Sequence, residues 1–179
     1  EIKADPDWNG GIEGEDWPMY NEMVDICVKV LNSFNLGDRL IVQTFDERAL
    51  AYMNEKYPEL HLSYLVGGDE VRWLENKEMD FDAILDNIGF VPEWFSPASI
   101  FVNKSCVDEA HRRGMKVVTW TVDNYEEMIR MIDAGVDAVI SNYPNRLLEV
   151  VKLHEPQAIE LHNPISPMGV YIADPTARV

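Results

Sequence analysis

The sequence predicts an α/β fold in which repeated strand–helix units surround a parallel sheet. Three observations point there. Short runs rich in β-branched and aromatic residues alternate with longer segments whose apolar residues recur at helical spacing. The short runs are nearly continuous in apolar residues, as strands covered on both faces require. The 179 residues, 46% of them apolar, are enough to bury a sizeable core without disulfides or metal staples.

The expected strands, in order, are residues 1–3 (EIK), 40–45 (LIVQTF), 60–66 (LHLSYLV), a weaker stretch at 88–91, 116–122 (KVVTWTV) and 138–141 (AVIS). The expected helices are 20–34, 47–57, 81–87, 103–113, 125–134 and 146–153. Gly37, Gly114 and Gly135 each follow a helix and precede a strand, where a left-handed cap ends the helix. Asn124 and Asn145 read as N-caps, the first with Glu127 at the third helical position. Two segments break the rhythm. Residues 4–18 (ADPDWNGGIEGEDWP) form an acidic, Gly- and Trp-containing loop after the first strand, either a cap over a site or a surface connection. From Glu155 onward Pro156, Pro164, Pro167 and Pro175 forbid a long helix, so the tail reads as extended chain lying on the body or ordered by a partner. A closed eight-stranded α/β barrel takes about 250 residues, and about six strands are visible here, so the sequence reads as a piece of something longer.

Charge narrows the function. There are 32 acidic against 15 basic residues, a net charge of −17. No basic run is longer than Arg112-Arg113, which argues against binding nucleic acid or an anionic membrane surface. No apolar run of about 18 residues could span a bilayer, and the first residues lack the basic and apolar regions of a signal peptide. Cys27 and Cys106 have no metal-ligand spacing and read as buried small side chains.

Few residues stand out for chemistry. Glu1 and Lys3 share one strand face, because side chains alternate with period two. At the carboxyl end of a barrel strand such a pair suits a divalent cation beside a phosphate; spacing alone favours a structural ion pair or a frayed terminus. Trp120, ending a buried strand, either walls an apolar or glycerol-like pocket or packs in the core. Ser141-Asn142-Tyr143-Pro144 leads into a helix whose backbone N–H groups could meet an anion. His61, His111, His154 and His162 all lie away from strand carboxyl ends, and the tail groups His154-Glu155 and Glu160-Leu161-His162 read as solvated. Nucleophile-elbow, Walker and dinucleotide fingerprints are all missing.

These segments together resemble a known family. Residues 110–123 (AHRRGMKVVTWTVD), followed by 135–144 (GVDAVISNYP), resemble the C-terminal signature of the glycerophosphodiester phosphodiesterases. Glu1-Ile2-Lys3 is similar to that family's Glu-x-Lys strand, and Ile41-Val42-Gln43-Thr44-Phe45-Asp46 to its "Gln-Ser-Phe-Asp" strand. Order and spacing agree over residues 1 to about 152. The resemblance implies a TIM (β/α)8-type barrel, represented by its C-terminal βα units over residues 1–153, with a Pro-containing extension at 154–179. It implies hydrolysis of small-molecule glycerophosphodiesters to glycerol 3-phosphate and an alcohol, with a bound divalent cation, Mg²⁺ or Ca²⁺. Glu1 would be a metal ligand and Lys3 the catalytic phosphate contact. Phe45 and Trp120 would line the substrate pocket.

The departures are as informative. The family's His-Arg-Gly opening, its Glu-x-Asp pair and its second His-Asp have no counterpart here, and the resemblance makes those histidines the general base and acid. Residues 1–179 are therefore expected to be inactive alone and to need the N-terminal part of the barrel, in the same or a second polypeptide. Asn142 stands where the family usually has Asp. Two other readings follow: a non-catalytic TIM-barrel protein that binds a partner or sugar through the acidic loop and tail, and a phospholipase C-like phosphodiesterase whose products are cyclic phosphates.

Overall fold

A computed structural model describes residues 1–4, 19–68, 71–75 and 78–154, and the backbone of a strand at 169–172. The acidic loop beyond Ala4, His162 and the four tail prolines lie outside the described residues.

One parallel sheet organises the chain. Its strands are β1 (Ile41–Thr44), β2 (His61–Val66), β3 (Trp94–Pro97), β4 (Lys116–Thr119), β5 (Ala138–Ser141) and β6 (Gly169–Ile172). Their spatial order equals their chain order. The helices are α1 (Tyr20–Asn32), α2 (Glu47–Lys56), α3 (Phe81–Asp86), α4 (Lys104–Arg112), α5 (Tyr125–Ala134) and α6 (Pro144–His154). A doubly wound sheet reverses its strand order part-way, whereas a barrel winds in one direction, so this order is that of a barrel. The N–H of Ile2 donates to the Gln43 carbonyl at 2.9 Å, so residues 1–4 continue the progression on the free side of β1. The sheet is open: β1 and β6 are its two ends and do not pair. It is a partial TIM-type arc, not the closed (β/α)8 barrel.

Local chemistry sets the helix starts. The side chains of Asp46, Asp80, Asn103 and Asn124 accept backbone N–H groups from the first turns of α2, α3, α4 and α5. Each satisfies a donor the helix cannot, for about 1 kcal/mol. Gly135 ends α5 at φ 87°, a left-handed conformation in which a side chain would be strained.

Five expectations need correction. No strand forms at residues 1–3, which lie beside β1 through the Ile2 N–H. No strand forms at 88–91: the N–H groups of Ile88 and Gly89 both turn back to the Leu85 carbonyl, and the strand is Trp94–Pro97. The strand expected to reach Val122 ends at Thr119, with Trp120 joined to Ala98 by a single bridge. Asn145 is not a cap, because α6 already starts at Pro144, whose missing N–H costs nothing in a first turn. Gly37 does not cap α1, which closes at Ser33 in a right-handed conformation; Gly37, at φ 54°, opens a short 3₁₀ turn (Gly37–Arg39) instead.

The sheet has two unequal faces. Val42, Leu62, Tyr64, Val66, Phe95, Val117 and Val139 face the helices and join one large core with residues such as Val24, Leu50, Met53, Ile84, Val107, Met128 and Leu147. Each such side chain contributes about 1.5–3 kcal/mol by leaving water. The other face, the inside of the arc, carries a small cluster of Trp94, Val118, Ala138 and Ile140, with Ile41 and Trp120 packed against it. Ile2 and Ala4 belong to the helix-side core, so the alternation of an extended chain sends Glu1 and Lys3 to the inner face. Among the described residues, no helix is long and apolar enough to cross a membrane.

Candidate active site

Parallel α/β proteins place their chemistry where strands end, since the loops there can vary without disturbing the sheet. Phe45 follows β1 and Trp120 follows β4, both on the inner side by alternation. Their rings meet edge to face, with centroids 5.3 Å apart and planes at 88°. The two residues expected to line a pocket are therefore brought together across the arc.

Trp120 is held from two sides. Its indole Nε1–H donates to the Ser96 carbonyl at 2.8 Å, and its own carbonyl accepts the Ser99 N–H at 2.7 Å. Ser99 sits in a short 3₁₀ turn (Ser99–Phe101), which α5 ties down: its hydroxyl donates to Glu127 Oε1 at 2.6 Å, and Arg130 donates to the Ser99 and Val102 carbonyls. The indole plane is thus set before any ligand arrives. This support joins residues more than 20 apart in sequence, and since it runs largely through backbone carbonyls and N–H groups it leaves no residue-type signal in the sequence.

Glu1 and Lys3 also come together, though loosely. Lys3 Nζ lies 4.0 Å from Glu1 Oε1, with both side chains partly open to solvent. An ammonium there can meet an anionic oxygen.

A third group closes the rim between β4 and β5. One Asp123 carboxylate oxygen accepts the Asn142 backbone N–H at 2.9 Å and the Ser141 hydroxyl at 3.2 Å; the other accepts Asn142 Nδ2–H at 2.9 Å. Arg146 donates to the Asp123 carbonyl at 3.1 Å. Asn142 therefore serves as an amide donor to a neighbouring carboxylate, which an aspartate could not be. The Tyr143 N–H is taken by the Ser141 hydroxyl. Two of the backbone donors suggested for an anion at Ser141-Asn142-Tyr143-Pro144 are thus already engaged. The Asp123 partnership is invisible in sequence, although a charged residue just past a buried strand is a hint.

The described histidines stand elsewhere. His61 opens β2 and contacts Glu93, His111 pairs with Asp137 at 2.8 Å, and His154 ends α6 at 4.0 Å from Asp133. Both cysteines are free, and burial pushes the Cys106 thiol up to about 12, which keeps it un-ionised.

The family model described as the glycerophosphoryl diester phosphodiesterase family matches residues 1–146. The chain belongs to that family. This phosphodiesterase-family chain is 26% identical over 135 residues to a glycerophosphodiester phosphodiesterase of Caldanaerobacter subterraneus, covering 75% of the chain and 51% of the relative. Over 51 residues it is 45% identical to a dermonecrotic toxin of Loxosceles apachea, covering 27% of the chain and 19% of the toxin. A crystal structure of a Silicibacter pomeroyi protein assigned to the same family superposes with a TM-score of 0.68 at 26% identity, covering 85% of the chain and 48% of that protein. The chain thus spans about half the length of the phosphodiesterases it matches. The strand β6 lies beyond the matched residues.

A divalent cation, which the family implies, does not fit on the described residues alone. Such ions take about six or more oxygen ligands. Glu1 offers one carboxylate, and no group of three or more His, Cys, Asp or Glu among the described residues could hold a metal.

Proposed function

We propose that this chain carries the substrate-binding and phosphate-neutralising side of a glycerophosphodiester phosphodiesterase, hydrolysing such diesters to glycerol 3-phosphate and an alcohol once the rest of the barrel is present. The observation that carries this reading is the edge-to-face pair of Phe45 and Trp120 at the strand carboxyl ends, on the same inner face as Glu1 and Lys3. Family membership and the Caldanaerobacter relative supply the reaction class.

In this reading the Phe45 and Trp120 rings hold the apolar edge of the glycerol moiety and exclude water from one side of the diester. Lys3 places its ammonium on a non-bridging phosphate oxygen, where charge grows as water attacks phosphorus; such a preset charge lowers the barrier because nothing needs to reorient during reaction. Glu1 would give one oxygen to a Mg²⁺ or Ca²⁺ ion whose remaining ligands come from outside the described residues. Among the described residues no histidine stands at the rim, so in this reading the proton-transfer groups belong to the N-terminal part of the barrel, and residues 1–179 on their own are read as inactive.

The test is an assay of the natural-length polypeptide with Mg²⁺ or Ca²⁺, following phosphorus NMR of a glycerophosphodiester. Appearance of glycerol 3-phosphate supports the reading. A cyclic phosphate product would move the chain to the phospholipase C-like reading, and no turnover of any glycerophosphodiester would leave binding without catalysis.

A further inference from the structure

The helix α1 is apolar over more of its surface than it buries. Val24 and Val28 face the core. On one flank Asp25 reaches α2: its carboxylate accepts the Tyr52 hydroxyl at 3.1 Å, the Tyr57 hydroxyl at 2.7 Å and the Lys56 ammonium at 2.7 Å. That cluster fixes how the helix is turned about its axis. Each residue advances about 100° around an α-helix, so Ile26, Val30 and Phe34 project about 100°, 140° and 180° round from Asp25, on the flank turned away from α2. Phe34 sits in the closing turn, where its N–H donates to the Leu31 carbonyl. The three side chains are 57%, 53% and 65% exposed.

A helix covered only by the sheet and one neighbour carries polar residues on its remaining surface, as α1 does with the exposed Glu22 and Lys29. Apolar side chains at positions i, i+4 and i+8 form a second stripe instead, and an apolar strip left in water marks a contact surface. The winding of the chain says what lies on that side. Residues 1–4 run beside β1, and Ile2 and Ala4 belong to the core that Val24 and Val28 enter. The helix α1 leads from that stretch to β1. Parallel strands joined through helices wind in one hand, so a unit placed before residues 1–4 would lay its helix along the flank of α1 that α2 leaves open. The chain covers 51% of its Caldanaerobacter relative and 48% of the superposed Silicibacter protein, so these relatives carry about as much chain again. Charge disfavours a second copy in the same place, since two molecules of net charge −17 would have to meet there.

We infer that the flank of α1 formed by Ile26, Val30 and Phe34 is the contact surface for an amphipathic helix that precedes Glu1 in the natural-length polypeptide. The inference rests on the reading that the rest of a barrel accompanies these residues, and on no step of the reaction.

The test is thiol labelling of the natural-length protein, with Cys27→Ser as parent and Ile26→Cys, Val30→Cys and the polar-side control Lys29→Cys followed one at a time by peptide mass spectrometry. Val30→Cys should react roughly tenfold more slowly than Lys29→Cys, and Ile26→Cys several-fold more slowly, because a packed side chain reacts only through local opening. Native mass spectrometry should show a monomer. Benzoylphenylalanine introduced at Val30 should cross-link on illumination to a peptide N-terminal to Glu1 in the same molecule. The inference is overturned if Val30→Cys reacts as fast as Lys29→Cys, if its protection disappears on dilution of a dimer, or if the cross-link falls in residues 155–179 or on a second copy. Turnover of a glycerophosphodiester by the same variants keeps the two readings apart: protection without turnover removes only the hydrolysis, and turnover without protection removes only this contact.

Discussion

The two ends of the strands are built differently. At the amino ends, charged side chains tie neighbouring strands: His61 of β2 contacts Glu93 just before β3, and Lys116 of β4 donates to Glu93 at 3.1 Å while its ammonium lies 5.0 Å from the centre of the Trp94 ring. His111 and the Val117 N–H converge on Asp137 in the same way, at 2.8 and 2.7 Å. At the carboxyl ends the ties, charged and neutral, hold rings and loops: the Ser96 carbonyl and the Ser99 N–H hold Trp120, and Asn142 holds the Asp123 carboxylate. One end fastens strands and the other holds the groups that the proposed function assigns to substrate. The division is the one expected of a barrel, whose loops carry chemistry on one face and stability on the other.

This contrast can be broken in a graded way. If the proposed function holds, replacing Lys3 by Met in the natural-length protein removes a charge at the carboxyl end, and kcat should fall about 10²- to 10³-fold with thermal stability unchanged, as for loss of one transition-state donor. Equal loss of kcat and melting temperature would show that Lys3 is a strut. Asn142→Asp sets two carboxylates about 3 Å apart, which cannot both ionise, and should cost ~1–3 kcal/mol at pH 7. One of the two folded-state carboxyls is then raised, so the native state holds its proton more tightly than the unfolded chain, and the deficit should shrink as pH falls through that raised value. Urea melts at pH 7 and pH 4 measure this, and the exchange Asp123→Asn with Asn142→Asp should recover most of the loss.

At the fastening end, Glu93→Gln should lower stability by about 1 kcal/mol in urea while kcat stays within a factor of two, since the carboxylate serves two half-exposed partners. The smallest effect is expected at Glu109, whose carboxyl the Arg112 hydrogen bonds, then those of Arg113, hold at about 2. A depressed carboxyl stabilises above its unfolded value and loses that contribution as pH falls towards 2. Glu109→Gln should therefore cost under about 1 kcal/mol at pH 7, given its exposure, and progressively less as pH falls through about 2.

The sequence made the fold largely legible because parallel strands are buried on both faces and write themselves as apolar runs. LIVQTF, LHLSYLV, KVVTWTV and AVIS each contain a strand, and the Asn124 and Gly135 signals mark the ends of α5 as expected. The strand Trp94–Pro97 is only four residues long and lies just past the apolar stretch at 88–91 that drew the expectation. Pro97 is tolerated because it ends the strand, and the next N–H, of Ala98, bonds to the Val66 carbonyl. Local pattern and resemblance name candidate site residues, but not the partners that hold them. The Ser96 carbonyl that orients Trp120 and the carboxylate that engages Asn142 are contacts across 24 and 19 residues, created only when strands align.

The match of spatial to chain order has a kinetic consequence. Each strand pairs with the one that follows it in the chain, so every sheet contact closes a loop of a few tens of residues. The entropy of each closure is small and separately recovered, as in repeat proteins, and the arc can grow one unit at a time as the chain leaves the ribosome. A hydrogen-exchange pulse during refolding would then label units in sequence from whichever end nucleates, and a βα unit added to or removed from either end would change one seam and leave the others as they are.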